Sequence, residues 1–538
     1  MPDVTAIQHG GRPALLPLHD ATRYAERALL YFCVLAAALS IWVVRYPPMG
    51  DLPQHAAQVS LALDLLRGQS RWTDIVTFNF FTPYLIGYGL IALAAQLTSI
   101  ATAVKLVLSL SVLGFFWAAS ALRRRFGAPA LLDWLVLPGF FGFAFKWGFL
   151  TFLLAAPIGI FFILKALDFA EETNPKRLLQ LLACGLLLFF SHGLVFVACV
   201  GIGFCYALLD IRDRRHAFWR LLPYALLGLL ALVYYHFAKD VAYAQSTEAK
   251  PFVWNWSPRR FVQFFRFQWD VALSARDRPG YLLSAFAFAL FYLAPFLLGM
   301  RLRPTLRRAI PFAVIVLIGL GVPHMAMTTA FLYERFALFL LPFYVLMFGP
   351  ADEPSTVPAG WSLFTLAALP AISLAMTASR AWQFHKFDEE SQDFSVIMDA
   401  LPPQKRVLSL MLDKRSTAAA NPYAYLHFAC WYQAEKHGFV DSNFAQMLPQ
   451  IVRFKPGEAW IQLPFEWKPY RFDWVRHRGD HYDYFVLRSE KRLFPRFAGM
   501  PCDIELVTTS GPWALYRKLP DTCSHAAQLA REGHAGSP

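Results

Sequence analysis

Apolar runs separated by short basic clusters dominate the first 378 residues, and the pattern changes sharply after them. A helix needs roughly 17–25 residues to cross a hydrocarbon core of about 30 Å. Runs at 28–44, 103–121, 130–144, 148–166, 178–190, 194–210, 219–237, 281–299, 309–322, 335–349 and 360–378 read as spans, about eleven in all. A shorter run at 84–97, interrupted by Gly87, Gly89 and Gln96, reads as a juxtamembrane or re-entrant helix. If it crossed, Arg123, Arg124 and Arg125 would fall on the outer side, against the retention of Lys and Arg in the cytoplasm.

Residues 379–538 alternate short β-prone stretches with polar segments. The strands expected there begin at Arg406, Tyr484 and Asp503, and a helix is expected from Asn421 to Lys436, capped by Asn421 with Pro422 behind it. The fold class is therefore an α-helical polytopic membrane protein with a C-terminal extracytoplasmic α/β domain. The divisions are a cytoplasmic arm at 1–27, a membrane body at 28–378 with outer loops at 47–102 and 238–280, and a separate soluble unit at 379–538. Trp254 and Trp256 in the second outer loop suit the headgroup belt.

Composition narrows the class further. Of 538 residues, 57% are hydrophobic and 16% charged, and mean hydropathy is +0.38, which excludes an ordinary soluble enzyme and a disordered chain. The net charge of +13 would admit a nucleic-acid binder, but the excess lies in loop clusters such as Arg301 to Arg308, whereas the tail is close to balance. The charge reports topology, and no nucleic-acid partner is expected. The seven cysteines show no metal-ligand spacing; Cys502 and Cys523 could form a pair in an extracytoplasmic tail.

With this topology, polar residues from several helix ends gather on the outer interface: Asp51 and His55, Lys146, His192, His324, and Glu334 with Arg335. Polar groups beside hydrocarbon are costly and commonly functional. Each has a plainer reading. Asp51-Leu52-Pro53-Gln54 fits an N-terminal capping box, His192 and His324 suit wet turns, Lys146 suits a snorkelling anchor, and Glu334-Arg335 an ion pair. A carboxylate facing cations at an interface suits a general base taking a proton from a hydroxyl while cations stabilise a departing phosphate. Asp51 and His55 could also contribute to a divalent metal site, but two ligands do not make one.

The outer-loop motif Gly50-Asp51-Leu52-Pro53-Gln54-His55, the stretch Asn79-Phe80-Phe81-Thr82-Pro83-Tyr84, and Phe331-Leu332-Tyr333-Glu334-Arg335-Phe336 before a late span resemble the GT-C superfamily of polytopic glycosyltransferases. The resemblance implies a polyprenyl-phosphate-linked sugar as donor, a glycan or lipid acceptor, Asp51 as catalytic base and Arg335 as holder of the lipid phosphate. It also implies an enzyme of a bacterial inner membrane with its C-terminal domain periplasmic. His55 would orient Asp51 or the acceptor, with Lys146, His192, His324 and Glu334 as further substrate contacts. The first loop has no Asp-x-Asp pair and no adjacent Asp-Glu. A transporter or flippase of lipid-linked substrates, and a non-catalytic envelope scaffold, are the competing classes.

Overall fold

The computed structural model of the chain describes residues 16–209, 211, 213–244, 252–269, 278–326, 329–350, 357–447, 449–458, 465–492, 497, 500–520 and 522–523. Arg12 of the N-terminal arm, Arg212 of a basic cluster, and residues 245–251 and 270–277 of the expected second outer loop lie outside them.

The body is built from helices α1 (Leu16–Leu39), α2 (Leu52–Leu66), α3 (Leu85–Ala94), α4 (Ile100–Arg125), α5 (Leu150–Glu171), α6 (Pro175–Ser191), α7 (Gly193–Leu208), α8 (Arg214–Ala244), α9 (Arg278–Leu297), α10 (Leu306–Gly321) and α11 (Ala359–Ser391). Their starts follow local chemistry. The Ser99 side chain accepts from the Thr102 amide at the head of α4, and Asn174 caps α6 with Pro175 in its first turn. Helix α5 sits at the centre, packed on α4, α6 and α7. Gly159 lets α7 close on it: a Cβ there would lie 2.7 Å from Val195 Cγ1 and 2.8 Å from Cys199 Sγ.

Six helices among the described residues are long and apolar enough to cross a membrane: Tyr24–Val43, Ile100–Arg125, Ala130–Trp147, Leu150–Glu171, Arg214–Ala238 and Ala359–Ser391. Three of the other five expected spans, at 194–210, 309–322 and 335–349, fall in shorter or interrupted elements. Helix α7, with 16 residues, reaches about 24 Å, less than the ~30 Å core. The run at 335–349 breaks into 3-10 turns around a short helix, Leu340–Tyr344. The stretch read as juxtamembrane or re-entrant is the ten-residue helix α3.

Beyond α11 come helix α12 (Asp393–Ala400), helix α13 (Cys430–Lys436) and a five-stranded sheet. Strands β2 (Arg406–Met411), β3 (Phe439–Val440), β5 (Tyr484–Arg488), β6 (Ile504–Ser510) and β7 (Trp513–Lys518) lie in the order β6-β7-β5-β2-β3, after β1 (Val76–Phe78) of the first loop and with β4 (Val452–Phe454) between β3 and β5 in the chain. Strands β2 and β5 pair in parallel and are buried along their whole length, as strands covered on both faces must be. Successive side chains alternate between two cores. Val407, Tyr484, Val486, Trp513 and Leu515 join the core of the helical body. Leu408, Phe485, Leu487 and Ala514 face a second, smaller core with Trp474, Tyr482 and Cys502, and Cys502 is disulfide-bonded to Cys523.

Two expectations for this region need correction. The boundary at 379 falls inside α11, which runs unbroken to Ser391 because no Gly or Pro follows Pro370 in it. The helix expected from Asn421 begins only at Cys430, because the Asn421 side chain is used elsewhere. Its Nδ2 donates to the carbonyls of Pro48 (3.0 Å) and Lys146 (2.9 Å), and its Oδ1 accepts from the Tyr423 amide, a local turn that competes with helix. The first loop and the C-terminal region also share strands, since β1 pairs antiparallel with β4 through Val76 with Phe454 and Phe78 with Val452.

Arg406 at the head of β2 makes two bonds to Asp441, of 2.8 and 2.6 Å, with both side chains buried. Replacing Arg406 by Ala strands a buried carboxylate and is expected to cost about 3–5 kcal/mol. Arg517→Ala, which breaks the exposed pair with Glu505, should leave stability almost unchanged. Thermal unfolding of the two purified variants checks this: a large drop in midpoint for Arg406→Ala only is the expected result.

Candidate active site

The site grows from the start of α2. The Asp51 amide donates to the Trp147 carbonyl (2.7 Å) and the Gly50 amide to that of Lys146 (3.2 Å), so the first loop is held along the Lys146–Trp147 turn. Gly148 ends that turn at φ +81°, and a Cβ there would sit 2.8 Å from the Leu52 nitrogen. Only glycine combines that backbone with so close an approach. Asp51 occupies the N-cap position, yet its side chain makes no capping hydrogen bond. The carboxylate is not used by its helix; it faces a cavity of about 170 Å³.

Helix α2 is buried around most of its circumference, and Gln54 and the Oε1 of Gln58 bond to distant residues. Gln54 Nε2 donates to the Ser442 carbonyl (2.8 Å) and Oε1 accepts from the Phe444 amide (2.9 Å), which fixes the amide's orientation. Nε2 must then also be the donor to His427 Nδ1 (3.0 Å). A neutral His427 therefore carries its proton on Nε2, 3.5 Å from Asp51 Oδ1. The same reasoning settles His55. The Tyr88 hydroxyl spends its hydrogen on Gln450 Oε1 (2.5 Å), so His55 Nδ1–H donates to Tyr88 (2.7 Å) and Nε2 is left as an acceptor. Burial pushes both histidines down to about 3, which keeps them neutral.

Arg335 lines the same cavity. Its Nε donates to the Phe331 carbonyl (2.8 Å) and Nη2 to that of Ala330 (2.7 Å), while the guanidinium stacks over the Phe149 ring at 3.9 Å. Phe331, which supplies one of those carbonyls, sits at φ +59°, an unfavourable backbone for a bulky side chain, and its ring packs on Trp147 at 4.4 Å. Among the described residues no carboxylate is in salt-bridge contact with Arg335. His192, 2% exposed, accepts the Leu194 amide on Nδ1 (3.2 Å). Its proton is then on Nε2, which has no partner among the described residues and lies in the cavity wall.

Carboxylates behave differently here from those on a surface. Burial, reinforced by Glu466 across the cavity and opposed by Arg335, raises Asp51 to about 8. Burial likewise raises Glu466 to about 7. Among the described residues no group of three or more His, Cys, Asp or Glu is placed to hold a metal ion.

Of the residues singled out by sequence, Asp51, His55, His192 and Arg335 line one cavity. Lys146, His324 and Glu334 do not. The Lys146 carbonyl braces the loop, and buried Glu334 pairs with His324 behind the Arg335 wall. His427, Glu466, Tyr84, Thr151, Gln450 and Trp467 also line the cavity and were not singled out as site residues. Tyr84 stood in a quoted motif without a role; the others have no local pattern that distinguishes them.

No family model matches the chain, and no curated protein matches it in sequence. Among solved structures, ArnT from Cupriavidus metallidurans in the apo state superposes with a TM-score of 0.50 over 94% of this chain and 99% of that one, at 11% identity. The same protein bound to undecaprenyl phosphate superposes with a TM-score of 0.48, at the same coverage and identity. At that identity the likeness is one of fold: this chain has an ArnT-like fold.

Proposed function

We propose that the chain transfers a sugar from a polyprenyl-phosphate-linked donor to an acceptor hydroxyl, with inversion, on the outer face of a bacterial inner membrane. The observation that carries this reading is the gathering of these groups around one small cavity. Asp51, free of its capping duty, lines it together with Arg335 and with His192 and its unpartnered Nε2–H. A general base needs an acceptor group within reach, and a departing phosphate needs fixed donors where its charge develops. The helices long enough to span a bilayer explain how a donor with a lipid tail reaches such a cavity. At about 170 Å³ the cavity takes a head group and leaves a long tail outside it.

In the reaction, the acceptor oxygen attacks the anomeric carbon and its proton passes to Asp51. The bond from that carbon to the phosphate oxygen breaks, its electron pair staying with the phosphate. Arg335 and His192 receive the developing charge. His427 Nε2–H and the bare Nε2 of His55 border the same space and hold Asp51 and the incoming hydroxyl in line. Gln54 and Tyr88 set the proton positions on those two rings and so orient them.

Asp51→Asn is expected to lower transfer by roughly 10²–10⁴-fold, the usual contribution of a positioned base. Arg335→Ala is expected to lower it by about 10²–10³-fold, as loss of a charge-stabilising donor does. Mass spectrometry of envelope glycans in a deletion strain, complemented with wild type or either variant at matched abundance, reads the result. A normal sugar-bearing profile with both variants would sink the assignment.

The pH dependence gives a second test. A base raised to about 8 is mostly protonated at neutral pH, so the rate climbs with pH through about 8. Glu466 ionises below that point and repels the second charge. Glu466→Gln removes the repulsion and is expected to move the rising limb to lower pH; an unmoved limb means Glu466 does not act on the base. Because folding raises the Asp51 pKa, that group favours the native state most at low pH, and the advantage is lost as pH rises toward about 8. Asp51→Asn never ionises, so it should unfold no sooner than wild type above pH 8, which separates lost chemistry from lost fold.

A further inference from the structure

Helix α2 has a second cavity at its other end. It encloses about 530 Å³ and shares no lining residue with the first. Its walls come from the end of α2, the turn between α3 and α4, the first turn of α4, the segment after α1, and α13. Ser60 on this wall stands nine residues past Asp51, about 13 Å along the helix axis.

The wall's charges are unevenly satisfied. Its two carboxylates are engaged: Glu435 with Arg45 at 3.0 Å, and Asp64 with His437 at 2.9 Å. Arg67 donates to the neutral Gln96 Oε1 (2.6 Å), and Lys105 to the neutral Val44 carbonyl (3.1 Å). Asp388, the other carboxylate that acts on Lys105, has one oxygen bonded to the Arg45 amide. Two cations therefore face the space with only neutral hydrogen-bond partners. Between them begins α4, a helix of 26 residues whose positive end opens here. Ser99 caps the Thr102 amide, and the amides of Ile100 and Ala101 have no carbonyl to bond within the helix.

An independent observation points to a ligand. The Ser60 hydroxyl is buried, with the residue 1% exposed, and has no hydrogen-bond partner among the described residues. A serine inside a helix ordinarily bonds back to the carbonyl four residues earlier. This one leaves its hydroxyl unspent on the wall of a cavity flanked by cations. An unpaired buried hydroxyl is destabilising, and a bound oxygen would relieve it.

We infer that this cavity binds a phosphate-bearing head group, held by Arg67, Lys105, the first turn of α4 and the Ser60 hydroxyl. Guanidinium and ammonium donors with free helix amides match the oxygens of a phosphate ester. The volume admits a glycerol or sugar unit attached to it. The source is a membrane phospholipid or a soluble phosphate, and the inference is independent of the reaction proposed for the first cavity.

The test is calorimetric titration of the full chain in detergent micelles at constant ionic strength, with dihexanoylphosphatidic acid and with inorganic phosphate. All measurements are made on an Arg335→Gln background, so that the first cavity does not contribute. At least one probe should bind. Arg67→Gln with Lys105→Gln should weaken it at least about tenfold, and Ser60→Ala by about three- to tenfold. Binding of the lipid alone identifies a phospholipid source, and binding of both probes a soluble one. If Arg335→Gln protein binds neither probe, or if the double variant and Ser60→Ala both bind as tightly as their parent, the inference is overturned. Should the double variant fail to fold, Ser60→Ala decides, since it removes one unpaired hydroxyl and no charge.

Discussion

The hydrogen bond from the Asp51 amide to the Trp147 carbonyl, 2.7 Å long, sets where everything else in the cavity stands. It presses the start of α2 against the turn that Gly148 closes, at a distance no side chain on Gly148 would allow. The Asn421 amide then clamps both strands of this junction through the Pro48 and Lys146 carbonyls. Three parts of the chain, far apart in sequence, thus share one small knot of backbone. The carboxylate emerges from it with no structural task of its own.

Around that knot the cavity is an exercise in desolvation. Polar side chains on a buried helix are costly without partners; Gln54 and the Oε1 of Gln58 find theirs in the Ser442–Val452 region, and His55 finds Tyr88. The partners do more than satisfy: they dictate which nitrogen of His427 and of His55 bears a proton. The same dryness holds the histidines neutral and raises Asp51 and Glu466. Arg335 supplies the balancing charge while bonding to carbonyls and an aromatic face, which steady it without neutralising it.

The membrane class, three of the strands and four cavity residues were legible in the sequence for physical reasons. Apolar runs reveal spans by length, and β-branched stretches bounded by Pro and Gly reveal strands. Asp51, His55, His192 and Arg335 stood out because each is polar at the end of an apolar run. Lys146, His324 and Glu334 stood out for the same reason, yet they serve the walls, since the signal marks an interface and says nothing of direction. His427 and Glu466 were invisible because the C-terminal region is evenly polar, so one histidine or glutamate there looks like any other. The Asn421 helix was over-read because a capping side chain and a side chain tied to remote carbonyls look alike in sequence.

The bonds that satisfy α2 join residues 388 to 394 positions apart. A ribosome adding about 5–20 residues per second needs roughly 20–80 s to make that stretch. For that interval the nascent chain carries a helix whose Gln54 and Gln58 lack these partners, so they must stay hydrated until the distant residues are made. A chain that ends before Trp467 consequently lacks part of the cavity wall, whatever the state of its spans. An assembled cavity becomes a certificate of synthesis through that point, written into the distance between the two halves of one hydrogen-bond network.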